Sequence, residues 1–161
     1  MVRFLFDSNQ KMPLEGDTQF KALKKNYGAG IELKGKTLGI IGFGRIGREV
    51  ARMAYGLGMN IAVHDRHGEE VELEVSFADG QSLKTKIQPT DLKTVLNTSD
   101  FVTVHVSGAG KTLIGKKEIA MMKDQAGIVN TARGGVVNEV ELLAALEEGK
   151  LRYAALDVFE N

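Results

Sequence analysis

Residues 42–47 read Gly-Phe-Gly-Arg-Ile-Gly, three glycines at fixed spacing between two patterned segments. Before them, Thr37 to Ile41 is a short apolar run that ends at glycine, the pattern of a buried strand. After them, Arg45 to Leu57 carries apolar residues at 46, 50, 53, 54 and 57, one face of a helix. The glycine spacing G-x-G-x-x-G is weak alone and gains force between a strand and a helix. Gly42 makes the tight turn, Gly44 lets backbone approach a pyrophosphate, and Gly47 lets helix and strand pack closely. The N–H groups opening the helix, those of Arg45 and Ile46, then meet the negative charge. The competing reading is a turn with three incidental glycines.

Asp65 weighs against that competing reading. It lies 18 residues beyond Gly47, close to the usual spacing of about 20 for the acidic residue that accepts from the ribose of a dinucleotide. Asn60 to His64 reads as a second strand, so Asp65 stands at its carboxyl end. A carboxylate there repels a 2′-phosphate, by about 4 kcal/mol for unit charges 4 Å apart at an effective dielectric of 20. The pattern therefore favours NAD over NADP. Arg66 and His67 stand beside it and would partly offset the preference, unless they are solvated loop residues.

The rest of the chain repeats the alternation. Val71–Val75 and Leu83–Ile87 each alternate around Asp79-Gly80, a β-hairpin pattern. Asp91–Asn97 and Lys116–Met122 read as helices, and Phe101–Val106, Ile128–Asn130 and Tyr153–Val158 as strands. Asn138 caps a helix to about Glu148, with Glu141 completing a capping-box pair and Gly149 stopping it. Alternating strands and helices predict an α/β fold, a Rossmann-type doubly wound parallel sheet with an inserted β-hairpin. Residues 1–35 form a separate helical arm and 36–161 the nucleotide-binding domain. In the arm, Val2 to Phe6 reads as the tail of a helix ending at Asp7-Ser8-Asn9. Asp17 would cap a second helix through about Tyr27.

Composition narrows the partners. Lysine plus arginine and aspartate plus glutamate are both 21, so there is no basic field for nucleic acid. Cysteine is zero, which excludes disulfides, thiolate metal sites and a cysteine nucleophile. No run approaches the roughly 20 apolar residues that span a bilayer, and the start is too short and charged for a signal peptide. The cytoplasm is the expected compartment. Glycine is the outlier, about 12% of residues against a usual share near 7%.

Ligands on such sheets sit beyond the carboxyl ends of the strands. Arg133, in Thr131-Ala132-Arg133-Gly134-Gly135, falls there, and its planar fork suits a small carboxylate. A plain surface arginine in a glycine-rich loop is an equal alternative on spacing alone. His64 and His105 each end a strand, His67 follows Asp65, and no spacing among the three suggests a metal site. Asp157 ends the last strand, where it either accepts from a nicotinamide carboxamide or caps a turn. Gly110-Lys111-Thr112 imitates the end of a P-loop, but the glycine required five residues earlier is His105.

Taken together, these stretches resemble the nucleotide-binding domain of the D-isomer-specific 2-hydroxyacid dehydrogenases. The likeness runs through Leu33–Gly39, Asp100–Val106, Met122-Lys123, Asn130–Val137 and Leu156–Phe159. Within that family it is nearest to the bacterial D-3-phosphoglycerate dehydrogenases that carry a hairpin after the second strand. The resemblance implies NAD as cofactor, a 2-hydroxy or 2-oxo acid as substrate, and pairing of two subunits through this domain. It places His105, Val106 and Ser107 near the adenine end, where the family usually has proline at the position of Ser107. Thr131 and Ala132 would border the nicotinamide, Asp157 would meet its carboxamide, and Arg133 would bind and polarise the acid. The family's acid–base pair is a glutamate before a proline and a later histidine. By the family's spacing both fall beyond Asn161, so Glu160 is not that glutamate, and the substrate domain is absent. These residues alone are then expected to turn over negligibly, since acid–base catalysis commonly contributes 10²–10⁴-fold.

Overall fold

The computed structural model describes residues 4–108 and 111–160. The chain divides into two compact units, Met1–Leu33 and Lys34–Asn161.

The first unit is one helical segment, α1 (Leu5–Tyr27), broken at Gln19, whose φ of −120° and ψ of 17° are not helical. The fold-back lets the Tyr27 hydroxyl donate to Asp7 Oδ2 at 2.9 Å. The expectation of a helix ending at Asp7-Ser8-Asn9 is corrected here, because α1 begins at Leu5 and runs through those residues. Asp7 sits in the first turn and pairs with Lys11 at 3.0 Å, and the Ser8 hydroxyl donates to Leu5 O. These are helix-starting contacts rather than stops. A second helix does run to Tyr27, but Asp17 is not its cap, since helical backbone continues past Asp17 to the kink at Gln19 that separates the two helices. Val2 lies outside the described residues.

The second unit is built on five parallel strands: β1 (Thr37–Ile41), β2 (Asn60–His64), β5 (Phe101–Val104), β6 (Ala126–Asn130) and β7 (Leu151–Leu156). Their order is β2-β1-β5-β6-β7. Helices α2 (Arg45–Gly56), α3 (Leu92–Thr98), α4 (Lys116–Met121) and α5 (Glu139–Glu147) connect them. The antiparallel pair β3 (Val71–Ser76) and β4 (Ser82–Ile87) forms the inserted hairpin. The fold is thus the Rossmann-type sheet with a hairpin that the alternation predicts.

Successive residues of a strand face opposite sides of a sheet, and β1 shows this directly. Ile40 packs with Phe43, Ala51, Val63, Leu73 and Ile87. Ile41 packs with Val102, Val104, Ile114, Ile128 and Leu151 on the other face. Two apolar layers therefore sandwich one parallel sheet, and the hairpin contributes Leu73 and Ile87 to the first. Cross-strand Glu72–Lys84 (3.6 Å) and Glu70–Lys86 (2.9 Å) pairs decorate the hairpin's wet side.

Several boundaries differ from expectation. β5 stops at Val104, two residues short, because Gly42 and His105 bring their loops together there. β7 runs Leu151–Leu156 and not Tyr153–Val158: Gly149 (φ +72°) turns the chain into pairing with Ala126 two residues early, and the strand ends at Leu156 opposite Asn130, where its partner β6 ends. The capping box at α5 is half formed. Asn138 Oδ1 accepts from the Glu141 N–H at 2.9 Å, but the Glu141 carboxylate turns to the Lys116 N–H. The Asn138 N–H donates to Ile114 O instead. Glu141 thereby links the first turns of α5 and α4.

Candidate nucleotide site

The sheet's winding reverses between β1 and β5, the place where two loops diverge and leave a crevice. At that point a β-carbon on Gly42 would lie 2.7 Å from His105 O, and Gly42 itself has φ +95°. Only glycine meets both demands. A β-carbon on Gly47 would overlap Gly42 O, so α2 and the loop are in backbone contact. Gly44 is different. It is the N-cap of α2, with φ −72° and ψ −161°, and nothing lies within 4 Å of where its β-carbon would stand. The Arg48 N–H makes the first intrahelical bond, to Gly44 O at 3.1 Å. The N–H groups of Arg45, Ile46 and Gly47 thus precede the helical ladder.

Asp65 closes the other side of the loop. Its Oδ2 accepts from the Phe43 N–H at 2.7 Å and its Oδ1 from the His67 N–H at 3.0 Å. Burial pushes the Asp65 carboxyl upward, but the His67 and Phe43 N–H groups, with the charges of His67 and Arg66, hold it below the ordinary carboxylate value. It stays ionised, and each oxygen keeps lone pairs for another donor. The Arg48 Nε donates to Phe43 O at 3.1 Å and its guanidinium lies 5.9 Å from the Phe43 ring centroid.

A cleft of about 380 Å³ brings together Gly42, Gly44, Asp65, His105, Val106 and Ser107, joined by His64, Arg66, His67 and Leu113. Arg45 and Ile46 do not line it, and their side chains face the outer groove of α2. His105 is half buried, its Nε2 2.9 Å from the buried Thr103 hydroxyl. Burial lowers its pKa, so the ring is neutral at pH 7. His64 Nδ1 lies 2.9 Å from Thr90 O. Gly110 of the rejected P-loop lookalike lies outside the described residues.

Thr131, Ala132, Arg133 and Asp157 do not line this cleft and instead follow the ends of β6 and β7. Arg133 is exposed, and its Nη1 donates to Ala132 O at 2.6 Å. The Asp157 N–H donates to Asn130 O at 3.0 Å. Three contacts here escaped the sequence reading. The buried Asn130 amide bonds the Ala132 N–H and Arg133 O. Gly108 presses on Arg133, since a β-carbon there would lie 2.6 Å from Arg133 Cγ. A β-carbon on Gly134 would overlap Phe159 O, while the Glu160 N–H donates to Glu139 Oε1 at 2.6 Å. An Asn at a strand end ahead of a glycine pair was the available signal for the first.

The family model for the D-isomer specific 2-hydroxyacid dehydrogenase NAD binding domain matches residues 2–161. The chain belongs to that family. It is 47% identical over 134 residues to a D-3-phosphoglycerate dehydrogenase of Methanocaldococcus jannaschii, covering 82% of this chain and 24% of the relative. It is 43% identical over 148 residues to a hydroxypyruvate reductase of Thermotoga maritima, covering 91% of this chain and 43% of the relative. A solved NAD-dependent formate dehydrogenase of Staphylococcus aureus, in complex with NAD, superposes with a TM-score of 0.78 at 26% identity. That match covers 98% of this chain and 44% of the other. The chain therefore spans between a quarter and a half of the length of these proteins.

The family's cofactor fits the loop. Gly44 leaves open the volume a side chain would fill, three N–H groups open α2 beside it, and an ionised carboxylate stands at the end of β2. Among the described residues no helix is long and apolar enough to cross a membrane.

Proposed function

We propose that this chain is the cofactor-binding part of a dehydrogenase that moves hydride between NAD and a D-2-hydroxy acid, with 3-phosphoglycerate as the acid. The observation that carries the cofactor reading is the Asp65 carboxylate, tied to the glycine loop through the Phe43 N–H at 2.7 Å and standing in the same cleft as Gly44. NAD, when bound, supplies the hydride acceptor or donor.

In this reading Gly42, Gly44 and Gly47 shape the loop, and the N–H groups of Arg45 and Ile46 hold the pyrophosphate. Asp65 accepts from the ribose hydroxyls and turns away a 2′-phosphate. His105, Val106 and Ser107 form the adenine wall, with His105 neutral so that no charge is buried against the base. Thr131 and Ala132 border the nicotinamide and Asp157 accepts from its carboxamide. Arg133 clamps the carboxylate of the acid through its fork.

The choice of 3-phosphoglycerate rests on the Methanocaldococcus relative, at 47% identity, and places the reaction in serine biosynthesis. The hydroxypyruvate reductase likeness supports a second reading, in which a small 2-oxo acid such as glyoxylate or hydroxypyruvate is reduced. A non-catalytic NAD-sensing module is a third. The chain pairs with a second copy through this domain, in the cytoplasm, as its lack of cysteine suits. Light scattering tests the pairing. Calorimetric titration with NADH, against NADPH, tests the cofactor site. One saturable site with strong preference for NADH is expected, and equal affinity for both overturns the role of Asp65.

A further inference from the structure

Asn130 is the last residue of β6 and is 2% exposed. A buried primary amide has to find partners for its donors and acceptor. Asn130 finds them in the loop that follows it. Its Oδ1 accepts from the Ala132 N–H at 3.0 Å, and its Nδ2 donates to Arg133 O at 3.0 Å. Both ends of the Ala132–Arg133 dipeptide are thereby tied to one side chain inside the sheet.

The Arg133 side chain is held from two further directions. Its Nη1 donates to Ala132 O at 2.6 Å. Gly108, in the loop after β5, lies so close that a β-carbon would come within 2.7 Å of Arg133 Cβ and 2.6 Å of Cγ. Gly108 has φ +22°, so a larger residue is excluded on conformation as well as space. An exposed arginine usually samples many rotamers. This one has its backbone pinned by an amide, its stem against a glycine and one guanidinium nitrogen on a fixed carbonyl. Ordering that is complete before a ligand arrives is not charged to binding.

We propose that Asn130 is the positioning residue for Arg133, with Gly108 as its steric partner, so that the guanidinium is pre-aimed by a buried amide two strands away from the glycine loop. The functional value of that aim rests on the reading of Arg133 as the ligand of the acid's carboxylate. The arrangement itself does not.

Nitrogen-15 NMR of the full chain separates the two. The Arg133 Nε–Hε resonance is assigned by its loss in Arg133→Lys. In the wild type it is expected to be shifted away from the position of a free arginine, because the neighbouring Nη1 is fixed on Ala132 O. Asn130→Asp keeps an acceptor for the Ala132 N–H but removes the donor to Arg133 O. It should collapse the Arg133 resonance to the position of a free arginine, while the Phe43 and Asp65 amide peaks, across the sheet, stay in place. Gly108→Ala forces a methyl group against the Arg133 stem and should displace the same resonance, with the unmoved Phe43 and Asp65 amide peaks showing that the fold holds and the unmoved Asn130 side-chain amide peaks showing that its bonds are intact. An Arg133 resonance unchanged in both variants overturns the proposal. A second arm adds glyoxylate to the NADH-saturated wild type. No movement of the Arg133 resonance there, with the variant effects intact, overturns the carboxylate reading alone and leaves the positioning role supported.

Discussion

The Phe43 N–H donates to Asp65 at 2.7 Å, and this bond makes the acidic residue at the end of β2 part of the glycine loop. Loop shape and cofactor selectivity are therefore not separable at this position. Asp65→Asn keeps an acceptor for Phe43 while removing the charge. Screening in the open cleft reduces the Coulomb effect to roughly 1–2 kcal/mol. Calorimetry with the two cofactors should show the preference for NADH over NADPH narrowing about tenfold. An unchanged ratio places the discrimination elsewhere.

Gly44 and Gly47 make opposite demands, and alanine distinguishes them. Gly44→Ala meets no atom within 4 Å and has an ordinary φ of −72°, so the melting temperature should hold. Its methyl group fills the open cradle, and NADH affinity should drop about tenfold or more, a cost of at least about 1.4 kcal/mol. Gly47→Ala drives a methyl group into Gly42 O, and overpacking of this kind costs about 1–3 kcal/mol of stability. Thermal melts and NADH titration of both variants check the contrast.

Acid should weaken the fold in two windows. Burial lowers the pKa of His105, so its folded value lies below its unfolded value near 6.5. The unfolded chain then takes up the proton first, and stability falls as pH drops below that value. Asp100 contributes lower down. Burial pushes it upward, but the Thr37 N–H at 2.8 Å and the Lys123 ammonium at 3.2 Å hold it below the usual range. Its stabilisation is present above the unfolded value near 3.9 and is lost as pH falls through the folded one. Melting curves against pH should flatten between pH 7 and 5 in His105→Gln. Asp100→Asn should cost about 1 kcal/mol at pH 7 and nothing near pH 2.

The hairpin is bound into the fold rather than hung from it. Leu73 is fully buried among Ile40, Phe43 and Val63. Leu73→Ala should cost about 2–5 kcal/mol, read as a drop in the denaturant midpoint. Leu83→Ala, half exposed on the partner strand, should be nearly neutral by the same measurement.

What the sequence made legible was local. The glycine spacing, the strand before it and Asp65 are all set by short-range rules, and the Asp79-Gly80 turn marked the hairpin in the same way. The helical arm was misread because Asp7 and Ser8 look like terminators until their partners, Lys11 and Leu5 O, are known. The Glu141 carboxylate was assigned to its own helix, whereas the neighbouring α4 offered it the Lys116 N–H. Asn130 left the least trace. Its amide acts through a loop closure between residues 130 and 133 and through a glycine 22 positions earlier in the chain. No periodicity records contacts of that kind.

Gly134 meets the Phe159 carbonyl backbone to backbone, and Glu139 grips the next N–H. With no side chain between them, the loop that carries Arg133 and the segment that follows Asp157 meet main chain to main chain. Any side chain at residue 134 would have to push the Phe159 carbonyl aside, so the spacing between the segments that follow β6 and β7 is set by main chain alone.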